Sequence, residues 1–214
     1  MNPSVPKYLN DLPLLRNLSE AEVEQISQCC ARRLLTRETV VQPAGEPARF
    51  LGFVLSGRGR ELLPLADGRV SVLRPLRGGS QFNEQTLVED EPSPVLVTCS
   101  AGSELLLVSA SAVKALLPES PRLSAALARA LHLRAAALCR RIAVLLTPRA
   151  EDRVRAYLTL LAREQPASAN PAGRRSELTH EQIGIDCNLS RETVTRVLGA
   201  GVNRDRRTDG PDAR

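Results

Sequence analysis

Apolar residues recur along this chain in two rhythms. Between Val40 and Val108 they come as short runs, Phe50–Leu55, Val70–Leu73, Val95–Val97 and Leu105–Val108, punctuated by Gly45, Gly57, Gly68 and Gly79. Short runs at intervals of about 8–12 residues predict the strands of a small antiparallel barrel or jelly roll. On either side the spacing lengthens to the helical period. Leu9 to Leu35 reads as helical, with Ser19 capping Glu20–Cys30 and Val23, Ile26 and Cys30 facing inward. A long helix is predicted over roughly Pro121–Leu146. Its Leu131, Leu138 and Leu145 fall seven apart, with Leu127, Arg134 and Ile142 near the complementary seam positions. That spacing favours packing against another helix. The alternative is a helix that packs on its own barrel, and Arg134 is the polar residue that interrupts the seam. Thr147-Pro148 marks a hinge, because the residue before proline is pushed out of helical geometry. A further helix covers Arg149–Arg163, and Gln165–Arg175 reads as a loop.

The densest set of local signals lies between Leu178 and Leu198. Thr179 followed by Gln182 makes a capping box, with Leu178 and Ile183 placed for a hydrophobic staple. Ser190 caps a second helix, Leu189 and Val194 can staple it, and Glu192 puts negative charge in its first turn. Asn188 lies between the two, where its tolerance of left-handed geometry suits a tight turn. Gly184 leaves room for a crossing helix. Val194, Val197 and Leu198 share one face, so Arg191, Glu192, Thr195 and Arg196 point away from it. Arg can pair with both guanine acceptors and Glu can accept from cytosine, which suits a helix entering the major groove. The competing reading is a solvated face with a Glu192–Arg196 pair. Two capped helices, a polar turn and a basic face together favour a helix-turn-helix.

Composition narrows this picture. The 214 residues suffice for one large or two modest domains, and 43% hydrophobic content supports real cores. With only 2% aromatic residues, those cores are built from Leu, Val and Ala. The net charge of +5 accords with a nucleic-acid partner. Lys7 and Lys114 are the only lysines, so nearly all the basic charge is arginine. No apolar run approaches a membrane span, the start lacks a signal-peptide pattern, and five irregularly spaced cysteines suit a reducing cytosol. The expected location is cytoplasmic, with no membrane partner.

The segment Ser-Arg-Glu-Thr-Val-Thr-Arg-Val-Leu, residues 190–198, resembles the DNA-binding motif of the Crp/Fnr family of bacterial transcription regulators. Gly45-Glu46, Leu55-Ser-Gly57, Asp67-Gly68 and Gly78-Gly79 resemble that family's sensory barrel. The resemblance implies base contacts from Arg191, Glu192 and Arg196, and backbone contacts from Thr179, His180, Ser190 and Thr195. It also implies a TGTGA-like half-site in a two-fold symmetric duplex. The long helix would pair with its copy in a homodimer through Leu127, Leu131, Leu138, Ile142 and Leu145. RNA polymerase is a further partner the family suggests. The fold class is therefore α+β. Residues 1–115 form a cyclic-nucleotide-binding-like barrel with N-terminal helices, and 116–147 a dimerisation helix. Residues 148–200 form a helix-turn-helix domain lacking a full wing, and 201–214 a disordered tail. Arg204, Arg206 and Arg207 of the tail could replace wing contacts with phosphate.

The effector stays unassigned. Family members that bind cyclic nucleotides carry a phosphate cassette, matched here by Gly79–Val97. Glu84 stands at the ribose-binding Glu, Asn83 where Gly is usual, and Ser93 at the phosphate-binding Arg. Phe82, Asn83, Glu84 and Ser93 are the candidate effector residues. A buried cyclic phosphate needs a cation or a nest of N–H groups, whereas Glu89, Asp90 and Glu91 would repel it. The cysteine spacing disfavours an iron–sulfur cluster. Haem is left open, with His132 as the histidine outside the DNA-facing motif, as is a thiol switch at Cys29 or Cys30. Residues 40–110 lack the clustered histidines of metal-binding barrels, so no catalytic or metal site is assigned and the chain is not read as an enzyme. The reading is a sequence-specific DNA-binding transcription regulator controlled by an unidentified signal. The alternative is a small-molecule-sensing dimeric module whose DNA binding is weakened or lost.

Overall fold

The computed structural model describes residues 9, 12–16, 18–164 and 179–208, with side chains as far as 199. Residues 30–109 fold into eight strands: β1 (Cys30–Leu34), β2 (Thr39–Gln42), β3 (Phe50–Ser56), β4 (Arg58–Pro64), β5 (Val70–Arg77), β6 (Gln81–Phe82), β7 (Leu96–Cys99) and β8 (Glu104–Ser109). They make two antiparallel four-stranded sheets, ordered β1-β8-β3-β6 and β2-β7-β4-β5. This is the jelly roll that the strand spacing predicts.

Strands β3 and β8 are buried on both faces, and their alternation separates two cores. Val54 and Leu105 point to the opposite sheet and pack with Leu76, Phe82, Val97 and Cys99. Leu51, Phe53, Leu106 and Val108 point the other way and meet Val23, Ile26, Val113, Leu123 and Leu127. Gly52 admits the Phe82 ring, since a Cβ there would lie 2.1 Å from a ring carbon.

Three helices cover that second face: α1 (Glu20–Ser27), α2 (Ala110–Leu116) and the N-terminal part of α3 (Pro121–Leu145). The expected helical stretch from Leu9 to Leu35 is corrected. Pro13 sits in a turn, the Ser19–Glu22 capping box starts α1, and Cys30–Leu34 is a strand paired with β8. Pairing with an already buried strand overrides helical periodicity there. Cys30 thus lies at the start of β1, not on α1, although Val23 and Ile26 are buried as expected.

The chain divides into two compact units, Met1–Leu138 and Cys139–Arg214. The second holds the last turns of α3, then α4 (Ala150–Glu164), α5 (His180–Cys187) and α6 (Arg191–Thr208). Val144 packs with Val154, Tyr157, Ile183, Cys187 and Val194, so the end of α3 belongs to this core. The expected boundary at Thr147-Pro148 therefore lies inside the second unit. There Arg153 Nε donates to the Thr147 carbonyl at 2.9 Å.

Of the tail expected to be disordered, residues 201–208 instead continue α6 to Thr208. Pro211 is the first proline after Leu198. Once a helix is nucleated, each further residue adds a hydrogen bond until a breaker intervenes. Residues 165–178, which include the expected loop and Leu178, lie outside the described residues, as do 209–214 and the side chains of Arg204, Arg206 and Arg207.

Candidate nucleic-acid interface and effector site

The turn between α5 and α6 is built by hydrogen bonds that the sequence specifies closely. Thr179 Oγ1 accepts from the Gln182 N–H at 3.2 Å while Gln182 Oε1 accepts from the Thr179 N–H at 3.3 Å. Asn188 ends α5 in left-handed geometry, with φ 51° and ψ 48°. The Leu189 N–H donates to the Gly184 carbonyl at 2.8 Å and the Asn188 N–H to that of Ile185 at 3.3 Å, which is a Schellman closure. A Cβ on Gly184 would lie 2.8 Å from the Leu189 carbonyl oxygen. What crowds this glycine is therefore the turn backbone, rather than a crossing helix. Ser190 Oγ then accepts from the Thr193 N–H at 3.2 Å and starts α6.

Val194 anchors α6 at 0% exposure, with Val197 and Leu198 packed beside it. Arg191, Glu192, Thr195 and Arg196 are exposed, as are Thr179, His180 and Ser190 at the two helix starts. His180 Nδ1 is 2.9 Å from Thr195 Oγ1, tying the start of α5 to the outer face of α6. The Glu192 carboxyl is held below its usual range by its own backbone N–H and by the Ser190 hydroxyl. It therefore stands ionised, as an acceptor.

Behind the motif is a polar cluster that periodicity did not reveal. Tyr157 Oη donates to Asp186, and Arg141 Nη2 donates to the Asp186 carbonyl oxygen. The Arg141 guanidinium lies 5.7 Å from the Tyr157 ring centre. Arg153 Nη1 donates to the Cys187 carbonyl at 3.3 Å. These contacts hold the C-terminal end of α5 against α4 and the last turns of α3. Burial pushes the Tyr157 hydroxyl up, and the nearby Asp186 charge adds to that, so it stays a protonated donor.

In the barrel unit, the four candidate effector residues are all buried but do not converge. Phe82 is core and meets Phe50 edge-on at 6.2 Å. Asn83 is left-handed, with φ 67°, and its Nδ2 donates to Gln42 Oε1 at 3.4 Å. Ser93 Oγ donates to the Val95 carbonyl at 3.0 Å, inside its own loop. Glu84 accepts from Arg134 Nη1 at 3.1 Å.

Glu84 belongs to a four-residue ionic cluster. Glu61 Oε1 accepts from Arg134 Nη1 at 2.8 Å and from Arg74 Nη2 at 2.9 Å, and the Arg74–Glu84 pair stands at 3.9 Å. Burial alone would raise the Glu61 carboxyl, but the two guanidiniums outweigh it and hold it below the usual range. Sequence reading missed Glu61 and Arg74. The available signal was a Glu facing an Arg across the β4–β5 pair. A cyclic nucleotide does not fit this cassette. Its Glu is committed to Arg134, and the position for a phosphate-binding Arg holds a serine bonded into its own loop.

On α3 the candidate dimer residues separate. Leu127 is 6% exposed in the barrel's own core, so it is removed from the expected seam. Leu131, Leu138 and Leu145 are half-buried and Ile142 is exposed, as are Leu133 and Leu146 nearby. Cys30 is raised by burial, opposite to the shift that activates a thiol switch.

A jelly roll followed by a long helix and a helix-turn-helix defines a sensor joined to a DNA-reading unit. Residues 32–120 match the family model of the cyclic nucleotide-binding domain. The chain is 28% identical over 178 residues to the cAMP-activated global transcriptional regulator CRP of Pasteurella multocida, covering 81% of this chain and 83% of that one. It is 26% identical over 190 residues to the cAMP-activated global transcriptional regulator Vfr of Pseudomonas aeruginosa, covering 87% and 86%. Among solved structures it resembles the c-di-GMP responsive global regulator CLP of Xanthomonas campestris. That match has a TM-score of 0.69 and 25% identity, covering 87% of this chain and 93% of that one. A CRP-family transcriptional regulator of Thermus thermophilus, TTHB099, gives a TM-score of 0.60 and 26% identity, covering 82% and 85%. Residues 32–120 thus carry a cyclic nucleotide-binding-like domain, and over most of its length the chain is similar to Crp/Fnr regulators; its function is that of a DNA-binding transcription regulator of the Crp/Fnr type.

Proposed function

We propose that this regulator works as a cytoplasmic homodimer that reads a two-fold symmetric duplex. Arg191, Glu192 and Arg196 contact base edges, and Thr179, His180, Ser190 and Thr195 lie against phosphates. The observation that carries this reading is the division of α6. Val194 is fully buried, while the two arginines and the ionised Glu192 are exposed just after a capped, sharply closed turn. Arginine and glutamate at a recognition-helix start discriminate G and C through paired hydrogen bonds. Dimerisation through α3 is supported by Ile142 and Leu146, which are 51% and 74% exposed, alongside half-buried Leu131, Leu138 and Leu145. Exposed aliphatics at seam spacing are what a partner helix would cover.

The barrel unit supplies the control, through a signal other than a cyclic nucleotide held in the cassette. Selection from random duplexes tests the reading: recovery of paired half-sites supports it, and sequence-blind binding by a monomer refutes it. RNA polymerase is the partner through which a bound dimer would act.

A further inference from the structure

The barrel unit contains an open cleft of 670 Å3, lined by β5, β6, the N-terminal turn and α3. Its volume is that of a small-molecule site. Of the four candidate cassette residues, only Glu84 borders it. Among the described residues, Arg16, Arg74, Arg129 and Arg134 line it, and Glu84 is the one carboxylate there. Arg74 and Arg134 are already engaged with Glu84 and with Glu61 behind them. That leaves the charges of exposed Arg16 and Arg129 with no carboxylate among the described lining residues to balance them.

A second observation points the same way. Gln81 borders the cleft and is 7% exposed, and its side-chain oxygen is buried without a hydrogen-bond partner among the described residues. A buried acceptor left unmatched is costly, so such groups mark places where a donor belongs. The remaining wall includes Pro13, Ala126, Ala130 and Leu133. Guanidiniums at the rim, one waiting acceptor and a short aliphatic wall describe the complement of a small anion with two charges and a hydroxyl or amide donor.

We propose that this cleft binds a small dianionic organic effector, either a phosphate monoester or a dicarboxylate, held by Arg16 and Arg129 and hydrogen-bonded to Gln81. The inference rests on the reading of the barrel as the signal-receiving unit. It places the ligand beside the cassette, not inside it. The Arg134–Glu84 pair forms part of the cleft floor, so a bound anion would compete with Glu84 for Arg134 and alter how α3 is held on the barrel.

The test is calorimetric titration of the full chain with glycerol 3-phosphate, propyl phosphate, succinate and malate. Saturable binding that weakens with salt is expected for the phosphates or the dicarboxylates, and the stronger pair identifies the chemistry. Arg16→Glu and Arg129→Glu, both surface changes, should each weaken that binding at least tenfold. Gln81→Met should weaken glycerol 3-phosphate more than propyl phosphate, or malate more than succinate, because only the first of the phosphate esters and the first of the dicarboxylates carries an alcohol hydroxyl donor. Ser93→Ala should leave binding unchanged. Absence of saturable binding by any of the four at millimolar concentration overturns the proposal, as does binding indifferent to both charge reversals. Duplex selection on the same preparation separates this failure from loss of the DNA-binding reading. A chain that selects a site yet binds no dianion loses only the effector inference.

Discussion

Arg134 Nη1 donates to Glu61 Oε1 at 2.8 Å, joining α3 to the floor of the barrel. The polar residue that interrupts the leucine spacing of α3 is thus the residue that fixes the helix to its own sensor unit. Glu61 is 1% exposed, so removing Arg134 leaves a buried carboxylate with Arg74 as its remaining close guanidinium. Breaking a buried pair from one side costs about 3–5 kcal/mol. Arg134→Ala should fall near the lower end, measured by urea unfolding. The double variant Arg134→Ala/Glu61→Ala should lose less than the two single changes combined, and simple additivity would show that the pair is not coupled.

The same carboxylate sets an acid limit. The folded Glu61 is held below its usual value of 4.5. Its stabilisation is therefore complete above the unfolded carboxylate range and is lost as pH falls through the lower folded value. Stability measured from pH 6 downward should decline less steeply below about pH 4.5 in Glu61→Gln than in the parent chain. Equal slopes would place the acid sensitivity elsewhere.

In the DNA-reading unit, Tyr157→Phe removes the hydroxyl that donates to Asp186, a residue only 5% exposed. Leaving that carboxylate short of a donor should destabilise the protein by about 1–3 kcal/mol. Thermal unfolding checks the loss. The α6 face stays chemically intact, so the selected sequence should not change even where affinity falls.

Gly184→Ala would gain about 1 kcal/mol of helix propensity on an unconstrained helix. Here the added Cβ meets the Leu189 carbonyl oxygen at 2.8 Å, which the turn backbone cannot readily yield. The expected outcome is a lower melting temperature and weaker DNA binding. Asn188→Gly, which keeps left-handed geometry accessible, should be well tolerated. A stabilised Gly184→Ala chain would contradict this account of the turn.

Much of this architecture was legible in the sequence because the deciding interactions are local. Ser19, Thr179 and Ser190 cap the helices they precede, and Asn188 closes α5. The apolar runs between glycines match β3, β5, β7 and β8, whereas β4 and the two-residue β6 were not among them. Long-range effects escaped. Strand β1 exists through pairing with β8, some seventy residues away, and its Cys-Ala-Arg-Arg-Leu sequence shows no alternation. The heptad placed Leu127 in a dimer seam because spacing alone cannot tell a partner helix from the chain's own barrel. Glu61, Arg74 and Arg134 meet only in the folded state, as do Arg141, Tyr157 and Asp186.

Cysteine chemistry offers an independent check on the two cores. Burial pushes the Cys99 and Cys187 thiols up to about 11, while Cys29 is exposed. Thiolate is the reactive form, so at pH 8 a disulfide reagent should modify Cys29 quickly and Cys99 and Cys187 only after unfolding. Mass mapping of the native reaction reads this directly. Early labelling of Cys187 would mean that the helix-turn-helix core opens readily.

The central claim is that α6 reads base edges through Arg191, Glu192 and Arg196. Its most direct test is selection and sequencing of random duplexes with the parent chain and with Arg196→Ala, at two salt concentrations. The account predicts a two-fold symmetric site with TGTGA-like halves for the parent. For the variant it predicts relaxed preference at one position in each half, a loss of about 1–3 kcal/mol in discrimination. An unchanged sequence preference in Arg196→Ala, with affinity lowered equally for every duplex, would contradict it.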